Sequence, residues 1–207
     1  MDLATFLRGL IIGLSIAAPV GPIGVLCIRR TLADGRAIGF ASGLGAATAD
    51  ALYGAVAAFG LSLVTNVLVE QRLWLQAVGG LFLCYLGWRT WTAMPRPVSG
   101  AVAGAGGLVA AWASTFALTL TNPTTILSFA AIFAGLGLGR AVGSYRAAST
   151  MVLGVFLGSA LWWLFLSVSV GLARSSLTAD RLRWINRTSG GVIGAFGVVA
   201  LVSMLWR

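Results

Sequence analysis

The sequence predicts an all-α integral membrane protein: six transmembrane helices in two inverted three-helix repeats, with broken first and fourth helices. Three observations predict it. Charge is too scarce to make a water-facing surface. Long uncharged apolar runs alternate with short arginine-bearing stretches. Proline-containing breaks recur at matching places in the two halves of the chain.

Hydrophobic residues make up 58% of the chain and charged residues 9%, and mean hydropathy is +0.95. Soluble domains are about 45–50% apolar and about 25% charged. Most of the surface here must therefore face lipid. The apolar runs are long and continuous, without the alternation over about ten residues that marks a barrel strand. A helix satisfies its own backbone where lipid offers no partners.

The runs follow in order. Gly9–Ile28 is uncharged and reads as the first span. Arg29, Arg30, Asp34 and Arg36 read as a short polar loop. Ala37–Val69 is apolar apart from Asp50. Glu70 and Arg72 mark a turn, and Leu73–Trp88 is the third span, closed by Arg89 and Pro95-Arg96-Pro97. Ser99–Gly107, mostly Gly and Ala, reads as a linker or helix entry. Leu108–Leu136 is the fourth span, broken near Asn122-Pro123. Ala147–Ala173 is the fifth. Arg174, Asp180, Arg181, Arg183 and Arg187 read as a loop, and Thr188–Trp206 is the sixth. The first span is longer than a signal-peptide core of about 7–15 residues, so it reads as retained.

The net charge is +9, from fourteen basic and five acidic residues, and every basic residue is Arg. These arginines sit mostly between apolar runs, where membrane topology places them, so the charge does not point to nucleic acid. Nine arginines fall on the first, third and fifth loops and five on the opposite side, a bias that places both termini outside the cytoplasm. Trp74, Trp88, Trp91, Trp184 and Trp206 lie at span ends and read as interfacial anchors. Trp162 and Trp163 lie mid-span and read as core packing, with lining of a cavity as the alternative.

The halves match at three places. Ala18-Pro19 corresponds to Asn122-Pro123, Asp50 through Tyr53 to Ser159 through Trp162, and Gly79-Gly80 to Gly190-Gly191. The offsets are 104, 109 and 111 residues. A three-helix half crosses the membrane an odd number of times, so the second half enters from the opposite side. The chain is thus one transmembrane domain, 1–207, with halves at about 1–95 and 105–207.

Candidate site residues follow from what a bilayer makes costly. Pro19-Val20-Gly21-Pro22 lies mid-span, where each proline removes an N–H donor and forces a kink or unwound turn. Broken helices near the midplane commonly form substrate sites. Thr121-Asn122-Pro123-Thr124-Thr125 is the matching break, with an amide and hydroxyls that can meet a polar solute or repair the backbone. Asp50 is the one acid well inside an apolar run. Burying it costs about 2.5–3.5 kcal/mol on insertion scales, and such residues usually mark an ion or substrate path. A structural hydrogen bond or salt bridge to a loop arginine is the plainer role for Asp50. Gly39-x-x-x-Gly43 fits close helix packing. Cys27 and Cys84 form no CxxC pair, and with no His there is no zinc set, so both read as small packing residues. No catalytic set and no phosphate-binding motif is present, which leaves ion-coupled transport or a passive channel.

These residues carry a family resemblance over nearly the whole chain. Ala18-Pro19-Val20-Gly21-Pro22 is similar to the Pro-Gly-Pro signature of the LysE/RhtB amino-acid exporters. The spaced glycines ending in Asp50 resemble their Gly-rich stretch. Trp74–Arg89 looks like their third-span motif, and Asn122-Pro123 looks like the start of their Asn-Pro-Lys element. The resemblance implies a multi-pass exporter of amino acids or related metabolites in the bacterial inner membrane, driven by proton antiport. Its partners would be lipid, an amino-acid substrate and a proton. It brings no cofactor, no metal and no enzymatic activity, and it is compatible with homo-oligomers. By motif position it assigns the pathway to Pro19, Gly21, Pro22, Asp50, Asn122, Pro123 and Thr124. Val20 and Thr124 depart from the pattern, Thr124 standing where the family often has Lys, so basic, neutral and thiol amino acids all stay open. Two other readings fit the composition: an accessory membrane subunit without transport of its own, and a thiol–disulfide electron conduit. The conduit needs a cysteine in each half, and both cysteines here are in the first.

Overall fold

The computed structural model describes residues 3–19, 21–59, 70–94, 105–122, 125–126, 128–129, 145–172 and 178–204. Among these the chain is all-helical, with helices α1 (Leu3–Ala17), α2 (Pro22–Asp34), α3 (Arg36–Ala58), α4 (Arg72–Trp91), α5 (Ala105–Leu120), α6 (Tyr145–Leu172) and α7 (Ala179–Val202). Two stretches, Tyr145–Leu172 and Asp180–Val202, are long and apolar enough to cross a membrane alone. Helices α1 and α2 meet that test as a pair but are inclined by 81°. At 1.5 Å per residue α3 is about 34 Å long, enough for a bilayer core of about 30 Å, although its Gly-Ala composition is less apolar.

The first break is where the prolines put it. Ala18 N–H still donates to Leu14 O at 3.0 Å, and α2 then restarts with Pro22 in its first turn behind Gly21. Proline is tolerated there because the N–H it lacks would have no helical partner. A single residue, Gly35, joins α2 to α3. Its φ is 105°, a conformation that glycine adopts without the Cβ clash other residues meet. Its N–H closes α2 on Arg30 O and Thr31 O at 3.1 and 3.2 Å.

Two stretches read as loops are helical. Arg29, Arg30 and Asp34 lie on α2, and Asp180, Arg181, Arg183 and Arg187 lie on the first turns of α7. Hydropathy ends a span at the first charge, but a helix continues when its charges project outward. On α7 the three arginines are exposed while Leu182, Asn186, Ser189 and Ile193 turn inward at helical spacing. Thr178 caps the start by accepting from Arg181 N–H at 3.3 Å, and Asp180 complements the N-terminal dipole.

Packing is by pairs. Helices α1 and α6 run parallel, with Gly9 against Met151 and Gly13 against Val155. Helices α3 and α5 also run parallel, Gly45 meeting Trp112 near one end and Tyr53 reaching Leu120 near the other. Helices α4 and α7 are antiparallel, as are α3 and α6. In the α4–α7 seam Gly80 meets Gly197, Gly87 meets Gly190 and Gly194, and the buried Gln76 donates to Ala200 O and Ser203 Oγ, both at 2.7 Å. Small residues let backbones approach where no hydrophobic force separates helix from lipid. Gly39 and Gly43 do serve packing, but each receives a side chain, Thr31 and Trp163 respectively. Trp74, Trp88, Trp91 and Trp184 are all exposed; Trp206 lies outside the described residues. Cys27 is fully buried and Cys84 half-buried in the α4–α7 seam.

Candidate functional site

Asp50 lies on the inner face of α3, 3% exposed. No arginine pairs with it: among the described residues the one ion pair is Arg29–Asp34 at 3.4 Å. Its partner is Ser159 on α6, whose hydroxyl donates to Asp50 Oδ2 at 2.7 Å. Trp163, one turn along α6, donates its indole N–H to Ser159 Oγ at 3.1 Å. Gly43 on α3 leaves the room that the Trp163 ring occupies. Continuing along the same face of α6, Ser167 is buried and its Oγ has no hydrogen-bond partner among the described residues. Asp50, Ser159, Trp163 and Ser167 form a polar track down an otherwise apolar interface.

The second break abuts this track. Helix α5 ends at Leu120; Asn122 N–H turns back to Thr119 O at 3.2 Å, and Ile126 N–H picks up Asn122 O at 3.2 Å. Thr119 and Thr121 return their hydroxyls to Thr115 O and Ala117 O at 2.8 and 3.0 Å. Both hydroxyls are thereby held on their own helix, and Ala117 O also accepts Thr121 N–H at 3.1 Å. Tyr53, one turn beyond Asp50 on α3, donates its hydroxyl to Leu120 O at 2.6 Å, and its ring packs on Phe129 at 5.4 Å. Tyr53 thereby satisfies one of the last carbonyls of α5, which a helix end leaves open. Tyr53→Phe is expected to cost about 1 kcal/mol, read from unfolding of the detergent-solubilised protein. An unchanged transition would mean that Leu120 O has found another donor.

The first break joins the same region through its flanks. Ala17 before it and Ile23 after it share a core cluster with Ala46, Ala47, Leu118 and Trp163. Ala46 and Ala47 lie one turn from Asp50. Pro19 itself is exposed, and Gly21 and Pro22 are half-buried. A Cβ on Gly21 would meet nothing within 4 Å, and its φ of −109° is open to any residue. Among the described residues Gly21 is therefore required neither by backbone geometry nor by packing. Asn122 is half-buried at the end of α5. Pro123 and Thr124, assigned to the site on motif position, lie outside the described residues. So the structure sets Ser159 against Asp50, with Trp163 and Tyr53 one turn away on α6 and α3, companions that sequence reasoning did not name.

A signal for Ser159 existed. The repeat pairs Asp50 with Ser159 at an offset of 109 residues, and these two residues share a hydrogen bond.

The family description "LysE type translocator" matches residues 14–204 of this chain. The chain belongs to the LysE translocator family. A Bacillus subtilis (strain 168) relative, named "Putative amino acid efflux protein YcgF", is 30% identical over 196 residues, 93% of this chain and 92% of that protein. An Escherichia coli (strain K12) relative, named "Uncharacterized membrane protein YahN", is 28% identical over 176 residues, 83% of this chain and 77% of its own. No solved structure matches the chain. As a family member the protein is a membrane translocator, and its apolar helices fit that assignment.

Proposed function

We propose that this translocator is a secondary active exporter of amino acids or related small metabolites across the bacterial inner membrane, coupled to protons. The observation that carries the reading is a buried acid, Asp50, at the interface of α3 and α6 and held by a hydroxyl rather than by a cation. An uncompensated carboxylate at this depth is costly. The site therefore favours a partner bringing positive charge, and a proton and the ammonium group of an amino acid both do. The efflux named for the Bacillus subtilis relative supports the direction of transport.

The architecture we infer is six spans in two inverted halves. The helix pairs support it. Exchanging the halves carries the parallel pair α1–α6 onto the parallel pair α3–α5, and returns the antiparallel pairs α3–α6 and α4–α7 to themselves. Such a plan lets one half rock against the other about a site at their interface. The pathway in this reading runs past Pro19, Gly21, Pro22, Asp50, Asn122, Pro123 and Thr124.

The test is efflux from cells preloaded with a panel of labelled amino acids, with and without the protein. Faster efflux of one class, abolished by an uncoupler, is the expected result. Efflux that persists after collapse of the proton gradient would remove proton coupling. No efflux of any member, despite confirmed membrane expression, would overturn the amino-acid reading.

A further inference from the structure

Two consecutive arginines near the end of α2 reach in opposite directions and are treated differently. Arg29 is neutralised and braced: its Nη1 lies 3.4 Å from Asp34 Oδ2, and its Nε donates to the buried Asn186 Oδ1 at 3.0 Å. Asn186 in turn donates to Ala93 O at 3.1 Å, tying α2 to the α4–α7 pair. Arg30 crosses to α3 and α5. Its Nη1 donates to Ser42 Oγ (2.8 Å), Thr115 Oγ1 (2.9 Å) and Ala111 O (3.1 Å), and its Nη2 to Ser114 Oγ (2.9 Å). Every one of these acceptors is neutral. No acid among the described residues pairs with Arg30.

We propose that Arg30 recognises the carboxylate of the transported amino acid, a reading that rests on the exporter function proposed above. A guanidinium has five N–H donors. Arg30 Nε has no partner among the described residues, and Nε and Nη2 share the edge on which a carboxylate takes two parallel hydrogen bonds. Charge-assisted bonds of that kind are roughly twice as strong as neutral ones. A carboxylate therefore outcompetes the hydroxyls for the fork and supplies a directly paired charge, where the protein offers only Asp34 beyond ion-pair distance. Arg30 is half-buried rather than sealed in the core. Its place also suits the role: it bridges α2, the second part of the first broken helix, and α5, the helix that ends at the second break. Ser42 and Asp50 are eight residues apart on α3, about 12 Å along its axis. A solute moving between the halves meets a fixed cation and a buried acid about two turns apart.

The experiment uses the full chain in proteoliposomes. It compares uptake of alanine, leucine and lysine with uptake of their carboxamides, which keep the ammonium group and lose the carboxylate. The wild-type protein is expected to prefer the acid of its substrate by at least about tenfold. Arg30→Gln should bring the acid-to-amide ratio toward one, chiefly through KM. Arg30→Lys, which keeps the charge but not the fork, should retain part of the preference. Ser114→Ala and Thr115→Val remove hydroxyls that compete for the guanidinium, and should lower KM for the acid by about threefold. An Arg30 that merely braces the helices would give other results: equal loss of acid and amide transport in Arg30→Gln, and hydroxyl variants that lower thermal stability without moving KM. Either result overturns the proposal while leaving the exporter reading intact. If Arg30→Gln fails to insert, the Lys and hydroxyl variants decide by the same criteria. Wild-type protein that transports neither acids nor amides overturns both readings.

Discussion

Asp50→Asn is expected to reduce amino-acid efflux to the level of cells lacking the protein, while membrane insertion and thermal stability stay close to wild type. The amide keeps the size and shape of the carboxyl group, and its oxygen can still accept from Ser159 in place of the 2.7 Å bond seen to Oδ2. What it loses is the ability to hold a proton or a negative charge. The packing around it, with Ser159 and Trp163 buried on α6 and Gly43 opposite, should be undisturbed. If Asp50 were a packing residue, Asn would leave transport unaffected and Ala would disturb stability. Retained efflux in a well-expressed Asp50→Asn protein would remove Asp50 from the mechanism. Ser159→Ala is the graded companion. A hydrogen bond to a charged group is worth about 1.5–3 kcal/mol, so losing this one should slow efflux by about tenfold or more where the charged form is the working one.

The membrane class was legible because it rests on bulk composition: few charges, long apolar runs and prolines inside them. The first break, between Ala17 and Pro22, was legible for the same local reason, since proline acts on its own turn. Helix boundaries were harder. Hydropathy closed the first span at Ile28 and opened the sixth at Thr188, yet α2 continues to Asp34 and α7 begins at Ala179. Arg29, Arg30, Arg181, Arg183 and Arg187 stay on helices because their side chains find exposed faces, neutral acceptors on other helices or, for Arg29, also an acid one turn along its own helix. One-dimensional hydropathy carries no record of such partners. Asp50 stood out in the sequence because a lone acid in an apolar run is conspicuous. Ser159, Trp163 and Tyr53 did not, because a serine or an aromatic in a membrane helix is ordinary. Their role comes from long-range placement, and the repeat offset was the only local trace of it. The cage around Arg30 left no trace at all, since Ser42, Ser114 and Thr115 approach it from two other helices.

Gly158→Ala is expected to lower stability by about 1–3 kcal/mol or more, the usual cost of forcing extra atoms into a filled core. Ordinarily the same change at a helix interior would gain, because alanine exceeds glycine in helix propensity by roughly 0.5–1 kcal/mol. The seam between α1 and α6 reverses the sign. Gly9 and Gly13 on α1 face Gly154 and Gly158 on α6, two glycine pairs at four-residue spacing on parallel helices. A Cβ on Gly158 would run into the Leu10 carbonyl oxygen and lie 2.9 Å from Leu10 C and 3.0 Å from Leu14 N. All three obstacles are backbone, so no rotamer change relieves them and the helices must separate. Separation strips contact from the whole seam and displaces the helix that carries Ser159 toward Asp50. Gly158→Val should be worse still and fail to accumulate in the membrane. Gly194→Ala is the control: its Cβ would meet nothing within 4 Å among the described residues, so propensity should dominate and stability should hold or rise. Thermal unfolding in detergent checks both, with a fall on the order of 5 °C expected for Gly158→Ala. Equal behaviour of the two variants would show that α1 and α6 are not in backbone contact, and would take away the fixed wall against which the α3–α6 track is held.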